Sequence, residues 1–482
     1  MTQNRNDIEY ERAQRRHILM IPGPKHTLTQ LGVYGHLVDF FRRPITTMQD
    51  YQQQFGRLSG VLAPVKDGEK GFIFAFGADY NREVFSNPSQ FHSSAMLNIN
   101  DSSVRNLANG LTFMNGSEHI TKRRIIMPAF HRKYIEYYRD DMVAITDDML
   151  NTWHLGDTVD MNHACHELTA KIAIKTLFGL DSEHEGREMS ALIARWMTLA
   201  TSPLLRIIPL DLPFSPVRQI RHISHDLERY MLDLIARKRN TKTQATDVLA
   251  TLMQAVDEDG NSLSDDELIG QVNVLFLAGH ETSGNALTWT LFLLSQHADI
   301  LRDVLDELDG VLGGDAPSLE QLGQLPFLEA IIKESMRVLP PVVWIQRIAN
   351  EGACLGNHRI GKGSNVILSH YMTHHDPDLY SNSHAFDPYR WQTIKPASYE
   401  YMAFSAGPRR CIGAEFAMME MKICLAMILQ RYQLELLPNT QIDRHVTVTL
   451  STKKALPMRV KPPQQALSVN RPTGDIHELV TL

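Results

Sequence analysis

The sequence predicts a mainly α-helical protein with a smaller β portion, folded as one large body. Three observations carry that expectation. From Asp79 to about Val338 the apolar residues recur mostly at helical spacing. Extended stretches are confined to two places, Gly60 to Phe76 and Asn350 to Tyr371. No internal repeat and no Pro/Gly/Ser-rich linker divides the 482 residues. The chain is therefore read as a single domain over residues 1–462, with β-rich parts around 55–76 and 342–372. Residues 463–482, with Pro, Gln and Thr but little periodicity, are expected to form a flexible tail.

Each element has a local reason. In GVLAPVKDGEKGFIFAF, Gly60 to Phe76, the Asp67-Gly68 pair supplies turn chemistry between two apolar runs, so a hairpin is expected. The clearest helix runs from Ser264 to about His297. Ser264 and Glu267 form a capping box, and apolar residues follow at helical spacing. Roughly 33 residues at about 1.5 Å each give a rod about 50 Å long, enough to cross the molecule. A further helix starts near Pro326, a good first-turn residue, and ends before Pro340-Pro341. A loop region containing FDPYRW, Phe386 to Trp391, then leads to a last helix from near Cys411 to about Gln430.

Composition narrows the function. The residues are 43% hydrophobic and 21% charged, enough apolar material to enclose a large flat ligand. A net charge of −7 argues against nucleic acid as the main partner. The 4 cysteines, Cys165, Cys354, Cys411 and Cys424, include no CxxC pair and suit reduced thiols in a cytoplasm. The N-terminal MTQNRNDIEYERAQRR is polar, and no apolar run reaches about 18 residues, so neither a secretory signal nor an integral membrane anchor is expected.

The chemistry concentrates in FSAGPRRCIG, Phe404 to Gly413. Gly407-Pro408 imposes a tight turn, Gly413 leaves the backbone bare, and Cys411 sits at the mouth of a helix. There the dipole and free N–H groups favour a thiolate. Arg409 is placed to hold an anion. Cys165, Cys354 and Cys424 have no such surroundings and read as structural thiols. Within the long helix, Ala278-Gly279-His280-Glu281-Thr282 carries a glycine costing about 1 kcal/mol relative to Ala, as does Gly284. A flat ligand lying against the helix would offset that. The Thr282 hydroxyl beside the Glu281 carboxylate can pass protons; the competing reading is a threonine bonded to its own helix beside a solvated acid. A zinc HExxH motif is excluded because position 284 is Gly.

Other patterns are weaker alone. Glu334 and Arg337 share a helix face, but so do Glu136 and Arg139, which read as an exposed helix ion pair. His119 and Arg123 lie one helical turn apart. Lys122, Arg124, Arg132 and Lys133 form a basic cluster that fits either an acidic docking partner or a solvated helix face. Gly356 to Gly363 nearly spells a phosphate loop, but Gly363 replaces the needed Ser or Thr and SNVILS reads as a strand. His163, Cys165 and His166, and His374-His375-Asp376, are read as structural or surface groups and not as metal ligands.

FSAGPRRCIG resembles the FxxGxRxCxG signature of the cytochrome P450 family, matching at Phe404, Gly407, Arg409, Cys411 and Gly413. The order HxxxR, AGxET, ExxR, FDPYRW and signature is similar to that of the family from near Gly60 to about Val460. The resemblance implies the cytochrome P450 fold and heme b (iron protoporphyrin IX) ligated by Cys411, whose thiolate favours O–O cleavage. It implies propionate contacts from His119, Arg123 and Arg347, with Arg409 nearby. It also implies that Ala278 and Gly279 lie against the cofactor, that Glu281 and Thr282 handle protons, and that Glu334, Arg337 and Arg390 form a buried structural network. The activity implied is insertion of one oxygen atom from O2 into a lipophilic molecule such as a terpenoid, steroid or fatty acid. Electrons would come from a ferredoxin or flavodoxin type donor with its reductase, to a monomer in the cytoplasm. The rivals are a peroxide-using or oxygen-rearranging relative, against which Glu281-Thr282 counts, and a non-catalytic heme sensor or electron carrier. Val342 to Trp344, Ala95 to Phe113 and Val274 to Ala278 are expected to line the substrate pocket.

Overall fold

A computed structural model describes residues 19–25, 34–95, 97, 99–130, 132–181, 185–200, 202, 205, 210–240, 246–463 and 468–482. The N-terminal segment before residue 19 and the end of the IPGPKHT stretch lie outside them. With 54% helix against 13% strand, the chain is mainly α. Six helices position the site: α1 (Ser102–Ala108), α2 (Gly116–Ile126), α3 (Met161–Phe178), α4 (Asp265–Gln296), α5 (Pro326–Val338) and α6 (Ala414–Arg431).

Helix α4 is the axis. Its N-cap Ser264 accepts from the Glu267 N–H while the Glu267 carboxylate accepts from the Ser264 N–H, so both halves of the capping box form. Residues 268–274 and 283–296 are buried, as expected of a helix surrounded by protein. Its polar groups are satisfied by neighbours. The Gln271 side-chain oxygen accepts from the Leu111 N–H at 2.8 Å, and the Asn273 amide donates to the Leu107 carbonyl at 2.8 Å. Close approach explains one glycine. A Cβ at Gly284 would lie 2.9 Å from the His166 ring, so this residue lets α3 pack against α4 and does not face a ligand.

The main sheet has the order β1-β2-β5-β4-β3, with β1 Leu58–Gly60, β2 Phe72–Ala75, β3 Phe91–His92, β4 Trp344–Ala349 and β5 Asn365–Ser369. β2 pairs with β5 in parallel through Phe72↔Asn365, and the other neighbours are antiparallel. The expected hairpin is corrected in detail. Asp67-Gly68 does form a turn, but the strand leading into it, Val65–Lys66, pairs with Met20–Ile21. β2 instead takes β1 on one edge and β5 on the other, which gives partners to the backbone N–H and C=O groups of a strand whose Ile73, Phe74 and Ala75 are fully buried.

Two further expectations are overturned. The C-terminal segment is no loose tail: Ile476, Leu479 and Val480 are buried, a 3-10 turn spans Asp475–Glu478, and Thr473 and Thr481 bridge to Gln441 and Ala385. Three closely spaced apolar residues make this anchor, too few to show as periodicity. Arg139 does not form the expected ion pair with Glu136. Its guanidinium donates to the carbonyls of Ala316 and Pro317 and to Asp140. Among the described residues, no helix is long and apolar enough to cross a membrane.

Candidate functional site

The cysteine loop is held from both ends. The Cys411 N–H donates to the Phe404 carbonyl at 2.8 Å, closing the loop on itself. Gly407 sits at φ +59°, where a side chain would be strained and would meet the Phe85 carbonyl at 3.2 Å. Gly413 caps α6, and its N–H points to the Cys411 sulfur. Burial nonetheless dominates and pushes the thiol up, against the pull of Gly413 N–H, Arg123 and Arg410. Cys411 is accessible, with Arg123 and Arg410 near its sulfur.

The middle of α4 is accessible too. Between the buried runs, Leu275, Leu277, Ala278, Gly279, Glu281 and Thr282 are at least partly accessible. A Cβ built on Gly279 meets no atom within 4 Å, and one on Gly413 touches only Phe130 at 3.9 Å. The Thr282 hydroxyl donates to the Ala278 carbonyl at 2.5 Å, the local bond that competes with any outward role. Glu281 accepts from the Thr449 hydroxyl at 2.6 Å. His280 turns away from this face, stacked on Phe276, and burial pushes it down to about 4.

Three guanidiniums gather around His119. His119 is buried and pushed down to about 4 by desolvation and by the fields of Arg409, Arg123 and Arg347. Desolvation lowers Arg347 to about 10, with Arg409 adding to it, and lowers Arg409 to about 10, with Arg123 adding to it. Their partners are neutral oxygens. Arg123 donates to the Arg410 carbonyl at 2.8 Å, Arg347 to the Gln346 carbonyl at 2.8 Å, and Arg409 to the Met114 carbonyl at 2.7 Å and Asn115 Oδ1 at 3.1 Å. Among the described residues none of the three forms an ion pair. Desolvated cations without anions are costly. A flat ligand carrying two carboxylates would supply the missing charge. These residues therefore fit a heme.

A buried network stands behind the loop. Arg337 grips Glu334 through two bonds of 2.9 and 2.8 Å, and donates to the carbonyls of His374, Ser383 and Ala385 at 2.8, 2.7 and 2.9 Å. Glu334 also accepts from Arg390 at 2.9 Å, the Trp391 indole at 3.0 Å and the Asp387 N–H at 3.1 Å. His374 passes the support on, since its Nε2 accepts from the Met402 N–H at 2.8 Å, two residues before Phe404.

Some expected residues lie elsewhere. Val343 and Trp344 turn into the core, where the Trp344 indole donates to the Thr447 carbonyl; Val342 alone stays partly accessible. Lys122 pairs with Glu267 and Arg124 with Glu258, so half of the basic cluster is already neutralised, while the side chains of Arg132 and Lys133 lie outside the described residues. No group of three metal-binding side chains occurs among the described residues. Thr449 was missed, because nothing local marks a threonine that reaches Glu281 across 168 residues.

The family model for cytochrome P450 matches residues 24–461. Cyclooctatin synthase of Streptomyces melanosporofaciens is 30% identical over 451 residues, covering 91% of this chain and 95% of that protein. Cyclooctat-9-en-7-ol 5-monooxygenase of the same organism is 28% identical over 416 residues, covering 85% and 89%. The solved structure of retinoic acid bound cyanobacterial CYP120A1 superposes with a TM-score of 0.78 at 26% identity, over 92% of this chain and 99% of that one.

Proposed function

The chain belongs to the cytochrome P450 family and is an oxidoreductase of the monooxygenase class, and from that premise we propose that it inserts one oxygen atom from O2 into a lipophilic, terpenoid-like substrate. The observation carrying the site assignment is the meeting of one accessible cysteine with three guanidiniums that, among the described residues, have no carboxylate partner. Heme b is the proposed cofactor. Cys411 is its iron ligand, and His119, Arg123, Arg347 and Arg409 hold its propionates, where planar Arg–carboxylate pairing is strongest. Phe404 and Gly407 shape the loop, and Ala278, Gly279 and Gly413 leave room for the ring. When bound, the heme-thiolate pair supplies the activation of O2 and the electron push that favours O–O cleavage.

The remaining chemistry belongs to side chains of this chain. Thr282 must exchange its bond to the Ala278 carbonyl for one outward, a single rotation about its χ1. Glu281 can then pass protons toward that hydroxyl. Thr282→Ala is expected to keep substrate binding but release several-fold more peroxide per substrate oxidised. Unchanged coupling would remove Thr282 from the proton path.

Substrate class follows from the accessible residues of α4, Leu275, Leu277 and Ala278, which are apolar. It also follows from relatives named for an unsaturated carbocyclic alcohol and for retinoic acid. Steroids and fatty acids share that apolar chemistry. A ferredoxin or flavodoxin type donor with its reductase is proposed as the electron source, acting on a monomeric enzyme. A library of terpenoids, steroids and fatty acids, screened for spin-state shifts and then for 18O2 incorporation, tests the function. Cyclic terpenoids are expected to give shifts, reduced-nicotinamide consumption and one labelled atom in product. Consumption with no labelled product from any bound compound would refute it.

A further inference from the structure

We propose that Thr449 is a positioning residue for the Glu281 carboxylate, tying proton delivery to the turn of a hairpin far away in sequence. The inference rests on the reading of Glu281 and Thr282 as the proton-handling pair. The hairpin consists of β6 (Arg444–Val446) and β7 (Leu450–Thr452), and Thr447 to Thr449 form its turn.

Donor bookkeeping fixes the direction of the bonds. Thr449 has one hydroxyl proton, and its 2.6 Å contact to Glu281 Oε1 uses it, because a carboxylate only accepts. The second contact, 3.2 Å between the Thr449 and Thr447 hydroxyl oxygens, must then run from Thr447 to Thr449. The result is an ordered chain, Thr447 to Thr449 to Glu281, in which each bond polarises the next.

The turn is a firm base for this bond. The Thr447 N–H donates to the Thr449 carbonyl at 3.0 Å, the Val343 N–H to the Val448 carbonyl at 2.8 Å, and the Leu450 N–H to the Pro341 carbonyl at 3.1 Å. Helix α4 itself reaches across, since the Trp289 indole donates to the Leu450 carbonyl at 3.0 Å. Two turns of α4 away, Glu281 would otherwise sample several rotamers. The Thr449 bond selects one. The anchor is a neutral hydroxyl, so it orients the carboxylate yet gives it up more readily than a charged arginine would.

Holoenzyme carrying Thr449→Val, Thr449→Ser, Glu281→Gln and the Thr449→Val/Glu281→Gln pair tests the idea by two readouts. The first is the partition of electrons between product and peroxide. The second needs no turnover: the infrared carboxylate band of Glu281, isolated as the difference from Glu281→Gln. Thr449→Val is expected to shift that band and raise the peroxide fraction at least twofold, with unchanged substrate affinity. Thr449→Ser is expected to restore both, and the double variant to match Glu281→Gln alone, since linked residues are not additive. A Thr449→Val protein with the native band and native coupling, or additive losses in the double variant, would overturn the positioning role while leaving the proton pair intact. Normal coupling in Glu281→Gln would instead sink the proton pair itself, and this inference with it.

Discussion

Cys411→Ser is expected to abolish the strongly red-shifted carbonyl band of the reduced protein and to reduce oxygen insertion to background. The substitution changes one atom in a loop whose closure does not depend on it. The bond from the residue 411 N–H to the Phe404 carbonyl is a backbone bond, and the φ +59° turn at Gly407 is set by glycine. The fold around the loop should survive, so the loss would report on the donor atom. A thiolate pushes electron density onto the iron, and a hydroxyl oxygen is a far weaker donor. Reduced protein of the variant, exposed to carbon monoxide, is the measurement; a normal red-shifted band would refute Cys411 as the ligand.

The second large effect is on stability. All five N–H groups of Arg337 are committed, two to Glu334 and three to the carbonyls of His374, Ser383 and Ala385. Arg337 and Glu334 are both 0% exposed. Removing one partner leaves a buried charge without compensation, which costs about 3–5 kcal/mol. Against a total of about 5–15 kcal/mol for a typical domain, that is a large share. Arg337→Ala should therefore give little folded protein and little bound heme, by thermal unfolding and heme content. Arg337→Lys should do scarcely better, because an ammonium cannot span the fork and the carbonyls together. A wild-type melting temperature in either variant would show that the network is not the support of the loop.

Much of this was legible in the sequence because its causes are local. The capping box at Ser264 and Glu267, Pro326 at a helix start, and the glycines flanking Cys411 act within a few residues, and each appears where its chemistry predicts. Gly279 was legible too, since a glycine inside a helix calls for a reason. Gly284 was misread by the same logic: its reason is the His166 ring on α3, and a sequence does not show which neighbour a glycine admits. What stayed hidden depends on distant pairing. β2 meets β5 from the far end of the chain, Arg139 prefers two loop carbonyls to Glu136, and the last apolar residues return to the core.

The account rests on sulfur from residue 411 holding the iron of a porphyrin beside α4. X-ray absorption at the iron edge of purified, substrate-free holoprotein addresses this most directly. One sulfur in the first coordination shell, lost in Cys411→Ser, is the predicted result. A shell of nitrogen and oxygen alone, or a protein that purifies without iron after expression with ample heme, would contradict it.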